Sequence, residues 1–146
     1  MSDQPTPATT WPKSYGPQDA PKEVLDLAHR LMTLLLAGNH PFCTALREQL
    51  VHARLRQVEL TGVGFFVSFD VPNDVPRAVE AKFAGGHADI KVEGIPNGAG
   101  CVLFVDHGVI QMLEVYTYGT EEFPEHPVVV GIENASPVSS SLRKTP

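Results

Sequence analysis

Near residue 56 the apolar spacing of this chain changes from every third or fourth residue to every second one. That change restricts the fold to helices followed by a sheet. Upstream of it, Val24, Leu27, Ala28, Leu31, Leu34 and Leu35 recur at helical spacing, with Glu23, Asp26, Arg30 and Thr33 on the opposite side. Asp26 and Arg30 stand four residues apart, the spacing of a helical ion pair. Asp19 and Pro21 mark the start, because the N–H that proline lacks has no partner in a first turn. Gly38 supplies a left-handed stop, and Pro41 opens a second helix whose cap is Asn39 or His40. Its apolar stripe is Phe42, Ala45, Leu46, Gln49, Leu50 and Ala53. So short a connection predicts an αα-hairpin.

Downstream, Val58 and Leu60 alternate with Gln57, Glu59 and Thr61. After the turn Gly62-Val63-Gly64, the residues Phe65, Val67, Phe69 and Val71 share one face. This predicts a hairpin. Residues 72–76 read as a loop, and residues 77–84 follow neither period clearly but fit a short helix. Ala88, Ile90 and Val92 mark a third strand, while 101–105 and 109–118 are two more, joined by a turn at His107-Gly108. Residues 128–130 form a sixth strand at an edge. The expected fold class is α+β, with an N-terminal helical hairpin packed on one face of a mostly antiparallel sheet of five or six strands. Residues 1–20, with Pro5, Pro7, Pro12 and Pro17, read as a flexible arm in which Trp11 and Tyr15 are anchors. Residues 21–133 read as one domain and residues 134–146 as a flexible tail.

Two strands carry apolar residues on both faces, 101–105 and 109–118. Such strands are central and covered twice, yet two helices cover only one side. The second cover is then the Trp11/Tyr15 arm, a second copy of the chain or a partner. Symmetric pairing is the commonest of these solutions, so a homodimer is expected.

Charge distribution narrows the partners. The net charge is −6. Residues 21–56 hold five basic and three acidic side chains, whereas residues 57–125 hold three basic and eleven acidic ones. An acidic sheet half repels phosphate, which argues against nucleic acid and for a basic protein partner. No apolar run is long enough to span a membrane, and the start Met1-Ser2-Asp3-Gln4-Pro5 has no leader pattern, so a cytoplasmic location is expected. Cys43 and Cys101, the only cysteines, stand outside any metal or redox motif and read as reduced, buried thiols.

No phosphate-binding, dinucleotide-binding, zinc-protease or serine-hydrolase motif is present, and no cofactor is expected. His87 and Asp89 share a strand face, and His107 in a nearby turn would complete a three-ligand zinc site. Exposed strand positions are polar in most sheets, however, and no metal site is assigned. The most distinctive stretch runs from Glu114 through Tyr116 and Tyr118 to Glu121, Glu122 and Phe123. Tyrosines and acids together suit recognition of a basic protein, and these six are the candidate partner-binding residues. Glu114, between Leu113 and Val115, is also the best candidate for a general acid or base in a small hydrolase or isomerase.

The stretches Pro41-Phe42, Leu46-Arg47-Glu48-Gln49-Leu50 and Gly62-Val63-Gly64-Phe65-Phe66-Val67 resemble a group of small bacterial α+β proteins of uncharacterised function. So do the runs from Gly100 to Gly108 and from Leu113 to Gly119. The resemblance covers about residues 40–125 and implies a bacterial origin and an α+β fold, without an activity. The chain also resembles, at the level of size and architecture, immunity proteins that neutralise toxins. The expected function is therefore a non-catalytic protein-binding domain, of the immunity-like kind that this resemblance implies, which uses its acidic tyrosine-bearing sheet; a small enzyme built around Glu114 and a small-molecule-binding domain are the alternatives.

Overall fold

Two helices and eight strands make up the computed structural model, which describes residues 11–80 and 82–142. The strands are β1 (Lys13–Tyr15), β2 (Arg54–Leu60), β3 (Gly64–Asp70), β4 (Lys82–Gly85), β5 (His87–Val92), β6 (Ile95–Asp106), β7 (Val109–Thr117) and β8 (Val129–Ser136). They form one antiparallel sheet in the order β1-β2-β3-β7-β6-β5-β8, with β4 also paired to β6. At 12 residues, β6 is long enough to carry β5 beside its start and β4 beside its end. The α+β class is as the residue periods indicate, but there are eight strands rather than five or six. The added pair are β1, from the proline-rich arm, and β4, from the stretch that fits a helix in sequence. Phe83 explains the second: it faces inward and packs edge-on against Phe42, ring centroids 4.9 Å apart.

Alternation on the strands directs one set of side chains to a shared core. Val58, Phe65, Val67, Ile90, Leu103 and Leu113 are completely buried. Helix α1 (Lys22–Leu35) adds Val24, Leu27, Leu31 and Leu35, and α2 (Pro41–His52) adds Phe42, Cys43 and Leu46. Burying each such aliphatic or aromatic side chain is worth about 1.5–3 kcal/mol. His40 caps α2, its Nδ1 accepting from the Phe42 N–H at 3.1 Å. Arg47 reaches back from α2 and donates to the carbonyls of Leu36 and Gly38, acceptors that the end of α1 leaves open. Asp26 pairs with Lys22 at 2.7 Å, not with Arg30. The helices lean on strands more than on each other: α1 lies against β5 and β8, α2 against β7 and the 3-10 turn at Val138–Ser141. The short connection between the helices is as the αα-hairpin reading expects, and the hairpin is matched in outline, with the sheet as the main support of each helix.

Gln49 is fully buried, a polar side chain in the apolar stripe of α2. Its Oε1 accepts from the Ile110 N–H at 2.9 Å, and its Nε2 donates to the carbonyls of Gly108 at 2.8 Å and Pro76 at 3.1 Å. One amide thus ties α2 to the β6–β7 turn and to the loop before β4.

The chain ends are built into the sheet as far as they are described. β1 pairs with β2, and the Trp11 ring lies against Gly62, where a Cβ would stand 2.9 Å from the ring. Lys13 Nζ lies 3.2 Å from Glu125, which also accepts from the Tyr15 hydroxyl. The arm therefore extends an edge and does not cover the second face. At the other end β8 runs to Ser136, Val138 is fully buried, and Ser141 Oγ accepts from the Gly86 N–H at 2.9 Å. Residues 134–142, read from sequence as part of a loose tail, are docked; residues 1–10 and 143–146 lie outside the described part.

Replacing Gln49 with Leu leaves the buried Ile110 N–H and Pro76 carbonyl without these partners. The expected loss is about 2–4 kcal/mol in urea unfolding, with the fold retained. A second outcome concerns the arm. The Tyr15 hydroxyl, and then Lys13, hold the Glu125 carboxyl below its ordinary 4.5. The contact is thus complete above that pH and is lost as pH falls through the lower folded value. Trp11, the single tryptophan, reports the release by fluorescence. Tyr15→Phe should move the acid midpoint upward; an unmoved midpoint would show that Tyr15 does not hold Glu125.

Candidate functional site

With the helices on one side, the register displays a second set of side chains on the other. Glu59, Phe66, Glu114 and Val102 stand side by side across β2, β3, β7 and β6. In the next row are Ser68, Met112, Phe104 and Ala84. Tyr116 stands between Gly64 and Gly100. Phe66, Val102, Phe104, Met112, Glu114 and Tyr116 are all half-buried. Apolar residues on both faces of the central strands thus have a definite outcome here: one set fills the core, and the other paves an open sheet face. Among the described residues, no element is layered over it.

Tyr118 closes one end of this face. A Cβ on Gly100 would stand 2.7 Å from its ring, so the glycine lets the ring lie on the sheet. The ring meets Tyr116 edge-on, with centroids 5.9 Å apart. The Tyr118 hydroxyl donates to Asp89, which also accepts from Asn134 Nδ2 at 2.8 Å and lies 3.1 Å from His87 Nε2. These bonds, that from Tyr118 foremost, lower the Asp89 pKa. Burial, and then the Asp89 bond, push the Tyr118 phenol well above its ordinary value. Burial likewise raises Tyr116 and Glu114. The Cys101 thiol beneath is pushed up to about 12 by burial, which keeps it un-ionised and inert.

The six residues singled out in sequence do not all reach this face. Glu114, Tyr116 and Tyr118 do. Glu122 is exposed in the loop after β7. Glu121 turns inward: Oε2 accepts from Asn97 Nδ2 at 3.2 Å, and Oε1 is buried without a donor among the described residues. Phe123 is a correction. It is 2% exposed and packs edge-on against Phe65 at 5.6 Å, because its N–H bonds the Gly62 carbonyl at 2.8 Å and draws the loop under the sheet. It belongs to the core and cannot touch a partner.

His87 and Asp89 do meet, but His107 lies beside Asp106 and Arg77 at the β6–β7 turn. The three-ligand zinc arrangement is therefore not formed. Among the described residues no group of three or more His, Cys, Asp or Glu side chains is placed to hold a metal. Nor does any helix have the length and apolarity to cross a membrane. Glu114 has the raised pKa that acid–base chemistry calls for, but it stands in an open row between Phe66 and Val102, with no nucleophile paired to it. Residues missed in sequence are Phe66, Val102, Phe104 and Met112; the signal for the last three was the loss of alternation in 101–105 and 109–118, and for Phe66 its aromatic side chain on the polar side of the 65–71 strand. The Asp89–Tyr118–Asn134 network had no local signal, since its members lie on three separate strands or strand ends.

Asp89→Asn removes a charge and an anionic acceptor from Tyr118. Phenolate formation followed by ultraviolet titration should shift to lower pH for the last tyrosine to ionise, while staying above 10.0 because burial is the larger cause. An unchanged curve would mean that Asp89 does not hold Tyr118.

Comparison with protein-family models, with curated proteins and with solved structures finds no match to this chain, so its functional reading rests on this geometry.

Proposed function

We propose that the chain is a non-catalytic protein-binding domain whose outer sheet face docks a basic protein. One observation carries this: the half-buried patch of Phe66, Val102, Phe104, Met112 and Tyr116 on the three central strands, bordered by Glu59 and crossed by Glu114. An apolar centre with a charged border is the anatomy of a recognition surface. Tyr116 adds a large apolar body with a polar tip, a type frequent among residues that dominate binding energy. Glu114 favours a cationic partner. Its carboxylate is already partly desolvated, and a guanidinium or ammonium laid against it recovers the lost solvation.

The same charges speak against a second copy as the occupant. Two such faces pressed together bring Glu59 and Glu114 of each chain into a shared apolar layer, where like charges repel strongly. The cation beside the patch is Lys82 of β4, which shares the face of Ala84 and Phe104, and one such charge per chain is outnumbered by the two acids. A toxin-like basic domain, held in the manner of an immunity protein, is the partner class that this reading favours over a homodimer.

The test is a retention experiment at low and high salt, backed by sedimentation of the protein alone. Wild type should sediment as a monomer and retain one basic protein at low salt. Glu59→Lys, at the border of the patch, should weaken retention by about tenfold, or ~1.4 kcal/mol. Tyr116→Ala should weaken it further. A salt-insensitive partner held equally by all three proteins would exclude this face, and a dimer strengthened by Glu59→Lys would make the second copy its occupant.

A further inference from the structure

Because the helices lean on different strands, they leave an open cleft of about 650 Å³ between them. Its floor is Leu55, Val67 and Phe69 of β2 and β3; Ala28 and Met32 of α1 and Leu50 of α2 are its walls. That volume lies inside the roughly 300–1,000 Å³ range of small-molecule sites. The cleft opens on the side of the sheet opposite the proposed protein-docking face, so the two are independent.

Its charge is unlike that of the rest of the molecule. No acidic residue lines it, although the chain as a whole has a net charge of −6. The polar groups at its border are His29, Thr33 and Arg47. The Thr33 hydroxyl is already committed to the His29 carbonyl at 3.0 Å. Arg47 is held in place by two carbonyls through Nη1, which fixes its position without neutralising it. No carboxylate pairs with Arg47 among the described residues. A guanidinium whose orientation is set by neutral acceptors, next to an apolar cleft, is a ready partner for an anion. Backbone carbonyls cannot supply that charge.

We propose that this cleft binds a small amphipathic carboxylate, its aliphatic body on Leu55, Val67 and Phe69 and its carboxylate at Arg47. The apolar lining selects the body, and the single cation selects the head. A neutral alcohol of the same length lacks the ion pair, and an alkylammonium meets a like charge.

Isothermal titration with decanoate, decan-1-ol and decylammonium on the full chain tests this. Decanoate should bind roughly tenfold or more tightly than decan-1-ol, with no binding of decylammonium. Leu50→Trp fills the cleft from a half-buried wall position and should abolish decanoate binding while thermal unfolding shows an intact fold. Arg47→Gln removes the charge but keeps a neutral polar side chain at this position, and should make decanoate and decan-1-ol equivalent. No decanoate binding at millimolar concentration, equal binding of acid and alcohol to wild type, or undiminished binding to a folded Leu50→Trp would each overturn the proposal. Should Arg47→Gln not fold, the wild-type comparison and Leu50→Trp still decide it. Loss of protein docking in the preceding experiment leaves this result unaffected, since no residue of the cleft is on that face.

Discussion

Eight strands in one sheet present two broad faces, and two helices are enough to bury only one of them. This imbalance governs the rest of the molecule. The inner face must supply nearly all the stabilising burial, and its strand positions are accordingly apolar and closed to water, except at the cleft floor, where Leu55 and Phe69 are only half-buried. The outer face keeps apolar residues on β3, β7 and β6 that no described element covers. Half-exposed side chains of this kind add little to stability, since their apolar area is only partly removed from water. They are understandable as a binding surface.

The helices show the same economy of contact. Each rests on the sheet, and they are tied in place by polar bonds where packing between them is thin. Gln49 reaches the β6–β7 turn and the preceding loop from α2, and Arg47 closes the end of α1. Buried polar bonds of this sort are costly to break, because each removal leaves a partner without solvent. The separation that they maintain is also what leaves the cleft between the helices open. Rigid support and an accessible apolar cavity thus have a common origin.

Much of the architecture was legible because it depends on local period. The helical stripes, the hairpin around Gly62-Val63-Gly64 and the strands from Ala88 onward all follow from burial on one face. Less legible were elements whose existence depends on a distant partner. β1 is three residues long and has no apolar alternation of its own; it exists because the edge of β2 is free to pair. β4 likewise needs the far end of β6 and the Phe42 ring. Of the candidate binding residues, Glu114, Tyr116 and Tyr118 follow from strand alternation. Phe123 does not, because a loop residue's direction is set by where its backbone bonds, here to Gly62.

By itself, then, the sequence determined the class of each long element, the identity of the core strands and the acidic character of the sheet half. Those properties reside in near neighbours and in composition, which folding does not alter. Only the tertiary structure decided which apolar set faces the helices, that the arm joins an edge instead of forming a cover, and that Arg47 borders a cleft. Each of these depends on pairing register or on contacts between residues far apart in the chain, and no local pattern of side chains encodes such distances.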